Sequence, residues 1–578
     1  MRYKTEREYN KNRLLKDGDY NSTKEMLERI ARLIPDKNIL AELDEKKNIV
    51  YHTAKDILTD VEAIGNGLIS MGLENKHIAI SADNSYLYVL TDLSIAGGVG
   101  VVTPIDRDAQ EDLLITLLNK CEADAIICSK GILNKIKSVQ PHCPKLQTII
   151  TIDQKAEGIP FLKEIMESAK NAEPNYYRNK KLDLAAPAKL LFTSGTTGAN
   201  KCVILSQNNL AANTINCLDT IKADDDSHNT SMSILPMHHA TEINTHILAR
   251  IAAGRLTYIN DSMKNMMTNI KIFKPYVITI VPMIANAFYK TIWANAKKLG
   301  KAEKLKKGIK LCKLARLFGA DITHKLFKDV FAPFGGNLCQ IVCGGAMLSP
   351  ETVKGFRDLG VYIVNGYGIT ECGPLISMNT DTVKETRSVG RACPGLEAKV
   401  VNQDENGIGE LCVRGKSVAL GYYKDEQATK EVFDKDGFFH TGDLVSMDQT
   451  GRIYLSGRKK NVIVLENGKN VCPEEIEQEI MDNIPYIKEC VAYEGDYEKN
   501  GQLVSSKIVV GAFIEDEEIR KNIEKIKEDF RAVNKTMPAH KQVNYVNLVD
   551  KEYEKTSTRK IKRTTIDQTH NTKTGIIL

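Results

Sequence analysis

No C-x-x-C pair occurs among the 13 cysteines of this 578-residue chain, and Cys339 and Cys343 are separated by three residues, which is not a zinc-ribbon spacing. No apolar core follows the opening residues MRYKTEREYNKNR, so a signal peptide is not expected. No apolar run reaches the roughly 18–20 residues that span a bilayer. The most apolar stretch, residues 276–288, is shorter and contains Pro282 and Asn286. An excess of one charge is also missing: 79 Lys and Arg face 74 Asp and Glu, a formal net charge of +5. A nucleic-acid binder shows a stronger and more clustered excess, so no nucleic-acid partner is expected. There is no internal repeat and no low-complexity tract. An odd number of scattered cysteines fits a reducing cytoplasm. Peripheral contact with the inner membrane face stays open, as does a homodimer.

What is present is the composition of a globular protein, 42% apolar and 26% charged. At roughly 150 residues per domain the length suggests about four folding units, or fewer larger ones. Short apolar runs at residues 78–82, 98–103, 125–128 and 148–152 read as buried strands with helices between them. That alternation implies an α/β fold of parallel sheets covered by helices. Near residue 455 the texture changes. Gly/Asp turn signals give way to Gly457-Arg458-Lys459-Lys460 and a unit of about 120 residues that alternates strands and helices. The expected division is therefore 1–458 and 459–578. In the second unit Ile519, Ile523, Ile526, Phe530 and Val533 recur at spacings of three and four, which predicts one helix with one apolar stripe. From about Thr564 the chain is polar and a frayed end is expected. Residues 297–328 carry eleven Lys or Arg against two acids. They read first as a solvated helix face, and second as a surface for anionic lipid or a polyanion such as coenzyme A.

The strongest local signal is LLFTSGTTGANK, residues 190–201. An apolar run ends in Thr193, Ser194, Thr196 and Thr197, with Gly195 and Gly198 between them and Lys201 at the close. Glycines let backbone N–H groups approach phosphate oxygens, hydroxyls donate, and the lysine adds a positive charge. Asn200 before the lysine and Cys202 after it rule out a Walker A loop.

Four further segments follow in order: residues 365–371 (NGYGITE), 441–443 (TGD), 457–461 (GRKKN) and 555–560 (KTSTRK). With the glycine-rich loop they resemble the core motifs of the acyl-adenylating, AMP-forming enzymes, across nearly the whole chain. Residues 235–242 (LPMHHATE) and Gly344-Gly345-Ala346 look most like bacterial long-chain fatty-acid–CoA ligases. The resemblance implies a large N-terminal domain of mostly parallel sheets with a β-barrel-like part, and a small mobile α+β C-terminal domain. It implies a fatty acid, ATP and coenzyme A as substrates, with Mg²⁺. Glu371 would hold the metal and Thr370 would donate to the α-phosphate. Tyr367 would stack on adenine, with Asn365, Gly368 and Gly344–Ala346 around its edge. Asp443 would accept the ribose hydroxyls and Arg458 would add a second nucleotide contact. Lys560 would offset the repulsion between the carboxylate and the α-phosphate. His239 would line the acyl pocket.

A metal reading of His238, His239, Glu242 and His246 is weaker, because H-E-x-x-H is absent. The sequence departs from the family pattern at Asn200 and Glu554, both in place of Pro, and at Arg559 in place of Gly. Loading of a separate carrier protein is the main alternative; only 18 residues follow Lys560, so a fused carrier is not expected. Amino-acid activation is disfavoured, since no Asp stands in residues 235–242 to hold an ammonium group. A non-catalytic AMP sensor is disfavoured by the joint presence of Lys560, Glu371 and Asp443.

Overall fold

The computed structural model describes residues 14–16, 18–193, 201–220, 230–320, 322–346, 348–380, 385–465, 470–499, 502–555, 561–563, 566 and 575–578. Runs that are apolar on both faces have no side to show to water, so they form strands covered by helices above and below. Ala125–Cys128 is such a run, with all four residues buried. It lies between His77–Ser81 and Thr148–Thr151, parallel to both. These strands belong to a seven-stranded sheet that continues through Val101–Pro104, Pro187–Thr193 and Lys201–Ser206 to Gly421–Tyr422, the last two joining antiparallel. A second sheet has nine strands. Its centre is parallel, from Asn38–Leu43 through Thr257–Ile259, Ser231–Ser233, Val277–Ile280 and Gln340–Gly344 to Tyr362–Gly368. The part expected to be barrel-like is a four-stranded antiparallel sheet of Leu396–Val401, Gly409–Gly415, Phe439–Met447 and Ile453–Arg458. The last part of the chain builds another four-stranded sheet and packs it on Pro473–Asn483 and Ile523–Thr536, around its own apolar cluster. The fold is thus mixed α/β, a large unit with parallel sheets followed by a smaller one.

Three local expectations need correction. Residues 98–103 are not one strand: Ile95–Val99 continues the helix Tyr86–Ser94 as a widened turn, and the strand starts at Val101. Glycine is required here, because Gly98 has φ 158° and a Cβ on Gly100 would meet the Lys76 carbonyl oxygen at 2.1 Å. The single helix expected from Ile519 to Val533 is two. Asn522 ends Glu517–Lys521 and caps Ile523–Thr536 by accepting from the Lys525 N–H. Ile526, Phe530 and Val533 are buried, but Ile523 is exposed. The end of the chain is not wholly frayed: Gly575–Ile577 pairs antiparallel with Tyr545–Val549 and buries Ile576. The apolar stretch 276–288 is the strand Val277–Ile280 followed by the start of the helix Pro282–Lys298. Among the described residues no helix is long and apolar enough to cross a membrane.

Candidate active site

The two ends of the glycine-rich loop are fixed by pairing. Thr193 ends one strand and Lys201 begins the next, and they are cross-strand partners. The loop therefore connects two antiparallel strands. Ser194, Gly195, Thr196, Thr197 and Gly198 lie outside the described residues. Lys201 sets its ammonium 4.5 Å above the ring of Tyr422. The Tyr422 hydroxyl donates to Glu371 at 3.0 Å, and the Ala419 N–H donates to the Glu371 carbonyl at 2.8 Å. Burial and the Glu371 charge both push the Tyr422 hydroxyl above its usual range, so it stays a donor. Thr370 and Glu371 sit in a single tight turn, Thr370–Cys372, directly after the strand Tyr362–Gly368. A Cβ on Gly368 would meet the Pro374 carbonyl oxygen at 2.1 Å, so only glycine lets that turn fold back on its strand.

A second group lies on the antiparallel sheet. Asp443 and Arg458 are cross-strand partners, and the Arg458 Nε is 2.7 Å from Asp443 Oδ1. The Tyr367 hydroxyl donates to Asp443 Oδ2 at 2.6 Å. Both oxygens of this buried carboxylate are thus engaged, yet a carboxylate has about four lone-pair sites and retains acceptor capacity. Burial, reinforced by Asp443, raises the Tyr367 phenol well above its ordinary value. Asn365 is buried on the same strand as Tyr367, and its Oδ1 has no partner among the described residues. Lys459 and His440 hold Glu410 at 2.9 and 3.1 Å. Desolvation and the neighbouring Arg458 bring the Lys460 ammonium down to about 8, against the pull of Asp443 and Glu371.

From Tyr367 a cavity of about 780 Å³, counted out to solvent, runs between the nine-stranded sheet and residues 241–250. Gly344, Gly345, Gly366 and Gly368 line it beside Tyr367. Gly345 has φ 89°, a left-handed conformation that favours glycine. Its wall also holds apolar Val277, Val342, Leu375 and Met378 together with polar Thr245, Thr279, Gln340 and Arg250. His239 lies two residues before the first lining residue on its segment, Thr241, with its ring 4.2 Å from that of His238. His246 and Glu242 are bound to each other, Nδ1 to Oε1 at 2.8 Å, and His246 Nε2 contacts Ser231 Oγ at 3.1 Å. Among the described residues no group of three or more His, Cys, Asp or Glu could hold a metal. Glu371 is a single carboxylate. That donor set fits a magnesium ion carried in on nucleotide phosphates, which takes one or two carboxylates, and does not fit an ion held by protein alone.

The site residues that sequence reading brought forward gather in two linked groups: Thr193, Lys201, Thr370 and Glu371 in one, and Asn365, Tyr367, Asp443 and Arg458 in the other. Lys560 and Arg559 lie outside the described residues. Sequence reading missed Tyr422, whose only signal was a Gly-Tyr pair on an unremarkable strand. It also missed Lys189, a buried lysine four residues before the loop. Its ammonium donates to Asp92 at 2.7 Å and to Asn244 Oδ1 at 2.9 Å. Asn244 in turn donates to the Gly373 carbonyl at 3.4 Å, two residues from Glu371.

Known proteins resemble this chain in sequence and in fold. The AMP-binding enzyme family matches residues 27–423, and the AMP-binding enzyme C-terminal domain matches residues 460–573. Long chain acyl-CoA synthetase 6, peroxisomal, of Arabidopsis thaliana is 28% identical over 474 residues, covering 77% of this chain and 66% of its own length. Long-chain-fatty-acid–CoA ligase FadD15 of Mycobacterium tuberculosis is 28% identical over 465 residues, covering 76% and 74%. The chain thus spans just under two thirds of the first of these relatives. Among solved structures, the anthranilate CoA ligase AuaEII with anthranoyl-AMP superposes with a TM-score of 0.76 at 18% identity, over 94% of this chain and 96% of its own. ATP-bound MatB of Rhodopseudomonas palustris gives 0.73 at 20% identity, over 94% and 97%. At such identities the likeness is one of fold.

Proposed function

This chain belongs to the AMP-binding enzyme family, and on that premise we propose that it activates a fatty acid with ATP and passes it to coenzyme A. In the first half a carboxylate oxygen attacks the α-phosphorus, and the bond to pyrophosphate breaks. In the second half a thiol sulfur attacks the acyl carbon of the adenylate, the thiol proton leaves to solvent, and AMP departs. Both halves gather negative charge, so the protein's work is placement and charge stabilisation.

The observation that carries this reading is that Lys201, Glu371, Asp443 and Arg458 all lie within electrostatic reach of the Lys460 ammonium, and that Tyr367, bonded to Asp443, lines a partly apolar cavity. Thr193, Lys201 and residues 194–198 hold the phosphates. Asp443 and Arg458 hold the ribose. The ring of Tyr367 and the Asn365 carbonyl oxygen face the base. Glu371 would hold magnesium, which neutralises phosphate charge when it arrives with ATP. Thr370 donates to the α-phosphate, Lys560 enters between the two anions, and His239 stands at the acyl entrance. We further propose that residues 459–578 reorient about Lys459–Lys460, since one small unit has to serve both halves. The long-chain relatives favour an alkyl substrate, and thirteen free thiols favour a reducing compartment.

A second reading rests on Thr245, Thr279, Gln340 and Arg250 in the cavity wall. Buried donors suit a shorter or more polar acid than a plain alkyl chain. One experiment separates the readings: ATP–pyrophosphate exchange and thioester formation across straight-chain acids of increasing length and aromatic acids, with coenzyme A or a carrier protein as acceptor. Fatty-acid ligation predicts a maximum at a long chain with coenzyme A. A maximum at short, polar or aromatic acids refutes the fatty-acid assignment, and turnover with a carrier alone refutes the acceptor.

A further inference from the structure

The segment 297–328 contains the helix Ala302–Leu317, whose burial is one-sided. Leu305 and Cys312 are its buried residues. Lys304, Lys307, Leu311 and Leu314 follow at spacings of three, four and three, so they share the opposite face. All four are exposed. Leu314 is 53% exposed, and Leu317 and Phe318 reach 81% and 82% at the end of the helix. Leu299, Leu311, Leu314, Leu317, Phe318 and Leu326 are six of the seventeen large hydrophobic residues exposed anywhere among the described residues. Six such residues between 299 and 326 exceed the single scattered apolar residues normal for a protein surface and mark a contact surface.

The surrounding charge selects the occupant. The segment carries eleven Lys or Arg against two acids. Lys306 is held by Glu303 and Lys313 by Asp358, both at 2.8 Å. Lys304, Lys307 and Lys310 carry no ion pair among the described residues. A second copy of this chain would bring like charge against like. A nucleic acid or another soluble polyanion would answer the lysines and leave Leu317 and Phe318 in water. An anionic bilayer answers both: its headgroups attract lysines within a Debye length, while leucine and phenylalanine enter the boundary between headgroup and acyl chain.

We propose that the exposed face of Ala302–Leu317, with Leu317 and Phe318 at its tip, docks this protein onto an anionic lipid surface. The proposal rests on this surface alone and is independent of which acid the enzyme activates. The test is co-sedimentation of the full chain, without substrates, with vesicles of phosphatidylcholine alone or with about one third phosphatidylglycerol. Binding to the anionic vesicles and weakening with added salt are expected. Leu314→Ser/Leu317→Ser/Phe318→Ser and, separately, Lys304→Glu/Lys307→Glu/Lys310→Glu should each lower the partition coefficient at least about tenfold. Pyrophosphate exchange and the thermal midpoint should stay unchanged in both, which certifies the fold. No binding of the unmodified chain to anionic vesicles at low salt overturns the proposal. So does binding that falls with charge reversal and ignores the apolar triple, which marks a polyanion site. Loss of a dimer in the apolar triple, seen by light scattering, also overturns it in favour of self-association.

Discussion

Replacing Lys189 by methionine keeps the length of the side chain and removes its charge. Lys189 and Asp92 are 1% and 2% exposed, and their ion pair is 2.7 Å long. The second Asp92 oxygen, Oδ1, is already buried without a hydrogen-bond partner among the described residues. In Lys189→Met the carboxylate therefore stays buried with no cation, and Asn244 Oδ1 loses its donor. Removing one partner of a buried pair costs about 3–5 kcal/mol, because the survivor is uncompensated. Removing both should cost much less: Lys189→Met/Asp92→Leu should recover at least about 2 kcal/mol of that loss. The assay is urea unfolding followed through Trp293, the single tryptophan, which sits in the helix Pro282–Lys298 of the same large unit. With a slope near 3 kcal/mol/M, the single substitution should lower the midpoint by about 1–1.7 M. Lys189 lies on the strand that ends in Thr193, and Asn244 reaches the Gly373 carbonyl. Loss of stability should therefore come with a higher KM for ATP. A midpoint shift under about 0.3 M, or a double variant as costly as the sum of the two single ones, refutes the reasoning.

Other outcomes follow from the same geometry. Lys560→Ala should lower acyl-AMP formation about 10²–10³-fold while sparing thioester formation from supplied acyl-AMP; equal loss in both halves contradicts its assigned role. Tyr422→Phe removes the donor on Glu371 and should raise the magnesium concentration needed for half-maximal pyrophosphate exchange about threefold to tenfold, a titration that an unrelated structural role would leave unmoved. Burial pulls the His238 imidazole down to about 4 from an ordinary value of 6.5. The native state then refuses a proton that the unfolded chain accepts, so this contribution is complete above pH 6.5 and is lost as pH falls toward 4. The loss amounts to as much as about 3 kcal/mol, and His238→Gln should flatten the urea midpoint across that window. Lys460→Pro restricts the torsions of the proposed hinge and should slow thioester formation more than adenylation; unchanged rates in both halves count against a hinge there.

The chemistry of the site was legible in the sequence wherever it rests on contiguous residues. Hydroxyls, glycines and a lysine within residues 193–201 point to a phosphate loop once read with the later motifs, and Asp443 and Arg458 stand in short motifs of fixed order. Strands such as Ala125–Cys128 were legible because they are apolar on both faces. Where a single residue changes the backbone, composition misled. The apolar run from Gly98 begins as helix because Gly98 takes a φ of 158°, and Gly100 sits too close to the Lys76 carbonyl for a side chain. The stripe from Ile519 to Val533 is broken because the Asn522 side chain competes for a backbone N–H. What only the tertiary structure decided are pairings between distant residues. Tyr422 faces Glu371 because Gly421–Tyr422 pairs with Val203 and Ile204, more than two hundred residues earlier. Lys189 reads as an ordinary charged residue until Asp92, ninety-seven positions away, is found beside it. The physical reason is the same for both. Local pattern sets which residues can hold a phosphate or form a strand, whereas the partner of a buried polar group is set by sheet order and helix packing, over separations that no local pattern encodes.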